Sequence, residues 1–157
     1  IYDIQEWLNR HYNTGLSLDN MYGPKTKAAL IKGLQTELNQ QFNKRLVVDG
    51  VWGTKTYNAC INVRRGSQGN ITMLSQMALF IKGYNLSMDK KFGPDTTKKV
   101  KEFQANTGLS IDGIVGKNTF KKLFCINRGR LLQSTSFFMS KKENLLEWIQ
   151  AFLHLIK

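Results

Sequence analysis

Few residues in this chain have the types that do covalent chemistry, and their spacing argues against it. Histidine occurs twice, at His11 and His154, near opposite ends of 157 residues. A zinc hydrolase needs three or so ligands converging on the ion, and neither H-E-x-x-H nor H-x-x-E-H spacing is present. No G-x-S-x-G elbow offers an activated serine. Cys60 and Cys125 lack a sequence cue for a thiol–imidazole pair; they read as buried thiols, with a disulfide the alternative in a secreted protein. Two carboxylates would suffice for glycoside hydrolysis, but the aspartates lie in turns where backbone amides occupy them. These residues predict a chain that is not an enzyme, with no cofactor and no metal site.

The elements around those aspartates repeat. Asp19 to Thr26, Asp49 to Thr56, Asp89 to Thr96 and Asp112 to Thr119 all read D-x-x-Φ-G-x-x-T, with Tyr22, Trp52, Phe92 and Val115 as Φ. The aspartate can accept from amides ahead of it, and Asn20, Gly50 or Gly113 after it can take positive φ at little cost. Lys90 tolerates positive φ poorly, so the third turn is expected to differ. The apolar Φ residue should anchor the loop from below. Pro24 and Pro94 fall where a helix begins and a missing N–H costs nothing. The threonines fall in the first turn, where a hydroxyl can satisfy an orphan amide.

Helical periodicity fills the intervals. It predicts helices over Ile1 to Tyr12, Ala28 to Gln41, Thr54 to Val63, Ile71 to Gly83, Thr97 to Asn106 and Thr119 to Phe124. Asp19 and Asp89 are 70 residues apart but Asp49 and Asp112 only 63, which suggests seven extra residues near Asn39 to Leu46. Turn residues from Arg64 to Asn70 mark a boundary. The expected fold is mostly α, with modules at 1–65 and 66–125, and each is small enough to need its neighbour's packing. The formal net charge of +12 is uneven, about +2 up to Val63 and about +7 from Arg64 to Cys125, a field that favours polyanions.

Gln76, Leu79, Gly83-Tyr84, Asp89, Phe92-Gly93, Thr96, Val100, Phe103-Gln104, Gly108-Leu109, Asp112-Gly113-Ile114-Val115-Gly116 and Thr119 together resemble the peptidoglycan-binding domain family. Gln5, Leu8, Tyr22-Gly23, Thr26, Ala29, Leu34-Gln35, Asp49-Gly50, Trp52-Gly53 and Thr56 are similar to it more loosely. The resemblance implies two tandem three-helix modules that bind bacterial cell-wall peptidoglycan without catalysis. It also implies an attached or separate wall hydrolase, such as an N-acetylmuramoyl-L-alanine amidase, a peptidase or a lysozyme-like endolysin or autolysin. The setting would be extracellular or cell wall associated, bacterial or phage-encoded. Flat aromatic surfaces suit glycan rings and stem-peptide methyls, and amides suit sugar hydroxyls. The ligand-binding candidates are therefore Tyr22, Trp52, Tyr57, Tyr84, Phe92 and Asn118, with the core competing for Trp52 and Phe92.

The basic second half motivates a different class, a surface for nucleic acid or another polyanion. Neither zinc-finger spacing nor an aromatic–basic RNA-binding motif accompanies it, and the lysines are scattered. Residues 126–157 fall outside the repeat. They read as a linker and then an amphipathic helix after Ser140-Lys141-Lys142-Glu143, a capping-box sequence. Its apolar face would dock onto a module, pair with a second chain through 140–157, or lie on a membrane surface. No stretch is long and apolar enough to be read as a transmembrane segment.

Overall fold

The computed structural model describes residues 1–125; the linker and amphipathic helix expected over 126–157, with the self-association surface at 140–157, lie outside the described residues. Among the described residues there is no β-strand. Helices α1 (Tyr2–Tyr12), α2 (Pro24–Phe42) and α3 (Thr54–Ala59) make the first half; α4 (Asn70–Ile81), α5 (Pro94–Thr107) and α6 (Lys117–Phe124) make the second. Among the described residues, extended backbone pairs at two antiparallel bridges, Val63 with Val115 and Gln68 with Lys91.

Helix starts follow the repeat. Gly23, Gly53, Gly93 and Gly116 stand in extended backbone just before α2, α3, α5 and α6, and Pro24 and Pro94 open their helices. None of these four starts has a side-chain cap, so the first-turn threonines do not serve the orphan amides as expected; their hydroxyls are used elsewhere. Helix α3 stops at Ala59, short of Val63. Val63 instead exchanges hydrogen bonds with Val115, at 3.1 Å as donor and 2.8 Å as acceptor.

Part of the extra length of the first half lies in α2. Helix α2 runs 19 residues against 14 for α5, and the turn after it is clamped by Asn39. Its Nδ2 donates to the Leu46 carbonyl at 2.9 Å, and the Leu46 amide donates to its Oδ1 at 2.7 Å. Asn9 clamps Leu16 in the same way, at 2.8 and 2.7 Å. Both first-half loops therefore own this turn.

One core serves both halves. Ile4 and Leu8 of α1, Leu30, Leu34 and Leu38 of α2, Leu74 and Met77 of α4, Val100 and Phe103 of α5, and Phe120 and Phe124 of α6 form one buried cluster. Every residue of α4 from Ile71 to Leu79 is buried, as expected of a helix that is apolar nearly all round. Removing each such Leu or Phe from water contributes roughly 1.5–3 kcal/mol, and sharing the core answers the marginal size of each half. Gly33 costs α2 helix propensity, but a Cβ there would sit 2.7 Å from the Tyr12 ring and 3.2 Å from Leu74. Its bareness lets α1 and α4 close on α2.

A buried carboxylate also crosses the seam. Glu37 of α2 accepts from Tyr12 Oη at 2.8 Å and Asn70 Nδ2 at 2.8 Å through Oε1, and from Gln41 through Oε2. Burial, then the bond to Glu37, pushes the Tyr12 phenol far up. Three neutral donors thus satisfy the carboxylate, and the one from Asn70 joins the two halves.

Candidate functional site

Four buried glutamines hold the four repeated loops. Gln5, Gln35, Gln76 and Gln104 stand on α1, α2, α4 and α5. In each case Nε2 donates to the loop aspartate at 2.6, 2.9, 3.0 and 2.7 Å. It donates to the carbonyl two residues past that aspartate at 3.0, 3.2, 3.1 and 3.0 Å. The third acceptor is the threonine Oγ1, at 3.2, 3.1, 3.1 and 3.2 Å. Each Oε1 accepts from the amide just after the aspartate. One amide side chain thereby fastens the aspartate, the backbone and the following helix.

The turn chemistry is uniform. Asn20, Gly50, Lys90 and Gly113 all take positive φ, at 60, 74, 66 and 74°, so Lys90 does not depart from the pattern; the glutamine bond to its amide holds it there. The Gln5 and Gln76 amides, followed by the Met21 and Lys91 N–H groups, hold the Asp19 and Asp89 carboxyls below the usual range. For Asp49 the Val51 N–H leads and Gln35 follows. In each loop aspartate, Oδ1 accepts from the glutamine and from the amide two residues on.

The second loops of the two halves meet, because the Val63–Val115 pairing brings α3 against α6. The Tyr57 hydroxyl donates to Asn118 Oδ1 at 2.5 Å. Lys117 Nζ and Lys121 Nζ lie 5.4 and 5.8 Å from the centre of the Tyr57 ring, within cation–π range. Trp52, in the loop just before α3, stacks on Phe124 of α6 at 5.6 Å between centroids, with 20° between planes. Tyr57 and Trp52 are half-buried and Asn118 is exposed. An oriented phenol, an amide and two ammonium groups share one surface.

The other candidates lie apart. Tyr84 packs edge-on against Phe103 at 5.8 Å, and its hydroxyl accepts from Asn106 Nδ2 at 2.9 Å. Tyr22 is half-buried in the first loop, and burial pushes its phenol up to about 12. Phe92 is 2% exposed and belongs to the core. Cys60 and Cys125 are free thiols; Cys60 donates to the Thr56 carbonyl at 3.2 Å, and burial pushes its thiol up to about 12. Among the described residues no group of three His, Cys, Asp or Glu is gathered as for a metal ion, and no helix is long and apolar enough to cross a membrane.

Sequence reasoning did not single out Lys117 and Lys121, nor the role of the glutamines. The signal for the glutamines was available: Gln5 to Thr26 and Gln35 to Thr56 are both 21 residues, a 30-residue period that also sets Asn9 on Asn39 and Leu16 on Leu46. Lys117 and Lys121 gave no signal, since the contact depends on α3 crossing α6.

The family model for the peptidoglycan binding domain matches residues 68–123. Protein FadG of Bacillus subtilis (strain 168) is 28% identical over 152 residues, which cover 92% of this chain and 26% of that protein. A zinc D-Ala-D-Ala carboxypeptidase of Streptomyces albus G is 38% identical over 64 residues, 38% of this chain and 24% of the carboxypeptidase. The chain thus spans about a quarter of the length of these relatives. A solved peptidoglycan-binding protein from Clostridioides difficile shares 40% identity over 40% of each chain, with a TM-score of 0.40. The matched stretch contains α4, α5 and all but the last residue of α6, with both glutamine-held loops of the second half, so it is residues 68–123 that are similar to the peptidoglycan-binding domain family.

Proposed function

We propose that this chain binds bacterial cell-wall peptidoglycan without catalysis, through the face where α3 crosses α6, and targets a wall hydrolase to its substrate. The match of residues 68–123 to the peptidoglycan binding domain model is the observation that carries the reading. The hydrogen-bonded Tyr57–Asn118 pair supports its location, with Trp52 beside it. An oriented ring takes a sugar face, while the amide and phenol meet its hydroxyls. Tyr22 and Tyr84 lie apart from this face and would be secondary contacts.

The repeated glutamine-held loops support reading 1–65 and 66–125 as two tandem modules of one family. The similarity to part of a zinc D-Ala-D-Ala carboxypeptidase supports an attached or separate hydrolase; an N-acetylmuramoyl-L-alanine amidase is a further candidate. The protein would then work outside the cell or in the wall.

The test is pull-down of the chain on insoluble peptidoglycan at low and at roughly 0.5 M salt, where charges beyond a few ångströms are screened. Most of the binding should persist in salt, with no fragments released. Tyr57→Ala should weaken it by about tenfold, the loss of one aromatic contact, with little change in unfolding midpoint. Binding that vanishes in salt would instead favour a surface for nucleic acid or another polyanion.

A further inference from the structure

Lysines 117 and 121 are one helical turn apart on α6, and both ammonium groups approach the Tyr57 ring. Like charges at this spacing repel, and their repulsion destabilises a helix. Neither α3 nor α6 carries an acidic residue, whereas Lys55, Lys117, Lys121 and Lys122 lie on them. Among the described residues the salt bridges are Arg10–Glu6 and Lys99–Glu102, so this pair has no carboxylate counter-ion there. Lys117 and Lys121 are exposed.

We infer that Lys117 and Lys121 bind a free carboxylate of the stem peptide while Tyr57 takes the adjoining sugar, an inference that rests on the peptidoglycan reading above. Two ammonium groups converging at one ring fit a single anionic group beside a flat polar surface. A polymer with a charge on every repeat would ask for a long cationic track. Stem peptides hang from the sugars, so ring and carboxylate reach the site together. The lysines thereby distinguish wall polymer with free carboxylates from polymer whose carboxylates are amidated.

The experiment compares insoluble peptidoglycan as isolated with the same material after carbodiimide and ammonia have converted its carboxyl groups to amides. The full chain should bind the amidated form about fivefold more weakly, the range for two exposed ion pairs. The double variant Lys117→Gln/Lys121→Gln should bind both forms at that lower level, with an unchanged unfolding midpoint. Equal binding of both forms by the unmodified chain would overturn the inference and leave the peptidoglycan reading standing. So would loss of the lysine-dependent increment when hydrofluoric acid strips phosphate polymers from the wall, since the ligand would then be a phosphodiester. Failure to bind either form would overturn the peptidoglycan reading itself, and the carboxylate subsite with it.

Discussion

The two first-half loops and the two second-half loops share one hydrogen-bond pattern but differ in what covers them. Backbone from 63 to 69 runs across the second-half loops. Val63 pairs with Val115, the Gly66 amide donates to the Phe92 carbonyl at 3.0 Å, the Phe92 amide to Ser67 at 2.9 Å, and the Gly69 amide to Lys90 at 2.9 Å. Phe92 and Val115 are buried accordingly, while Tyr22 and Trp52 in the matching positions stay half-buried. The glutamine sets the loop's shape, and a neighbouring segment decides whether its aromatic residue is core or surface. Identical local chemistry thus yields two structural anchors and two available rings.

The sharpest way to break this comparison is to remove the glutamines. Gln35→Leu should cost about 3 kcal/mol, because the buried Gly50 amide and Thr56 hydroxyl lose their bonds to it along with the Asp49 and Val51 acceptors. Gln76→Leu should cost about 2 kcal/mol, since the segment over the third loop still pins its backbone. Urea unfolding of both variants measures the gap; equal losses would mean that the covering segment adds nothing.

Substitution of the turn glycines sharpens it next. Gly50→Ala combines positive φ with a Cβ 2.8 Å from the Ala28 carbonyl oxygen, and should cost about 2 kcal/mol. At Gly113 the nearest atoms are the Thr97 Cγ2 at 3.0 Å and the Lys101 side chain at 3.1 Å. Lys101 can swing away, so Gly113→Ala should cost about 1 kcal/mol. Thermal melts of the two variants give the ranking.

Acid titration separates the loops by charge. Asp19, Asp49 and Asp89 have folded values below the ordinary carboxylate range. Their contribution is therefore present above the unfolded value of about 3.9 and is lost as pH falls through the folded ones. The melting temperature should drop below about pH 4, and the double variant Asp19→Asn/Asp49→Asn should flatten that drop more than Asp89→Asn alone. The smallest effect is expected at Lys90, where Lys90→Gly relieves a left-handed side chain but gives up its approach to the Trp7 ring, 5.5 Å away. The balance should be a gain of about 0.5 kcal/mol, measurable as a shift in urea midpoint.

Much of the fold was legible because it rests on local chemistry. Helical periodicity located all six described helices, and Pro24, Pro94 and Gly108 marked ends that the backbone respects. The threonines were misread for a physical reason. A hydroxyl in a first helical turn is most simply a partner for that turn's own amides, and nothing local announces a glutamine arriving from another helix. Lys90 was misread likewise, since its unfavourable φ is enforced by a bond from Gln76, 14 residues earlier. At the candidate site Tyr57 and Asn118 could be named from residue type, but their mutual bond spans 61 residues. Lys117 and Lys121 were indistinguishable from other surface lysines until α3 and α6 met.

The sequence by itself determined where the turns fall, where each helix begins and that the pattern recurs, because positive φ, helix starts and apolar periodicity are properties of a few consecutive residues. Only the tertiary structure decided which aromatic rings remain available and which charges gather around them. Those outcomes depend on the backbone at 63–69 crossing the second-half loops and on α3 packing against α6, contacts between residues too far apart in the chain for any local preference to encode.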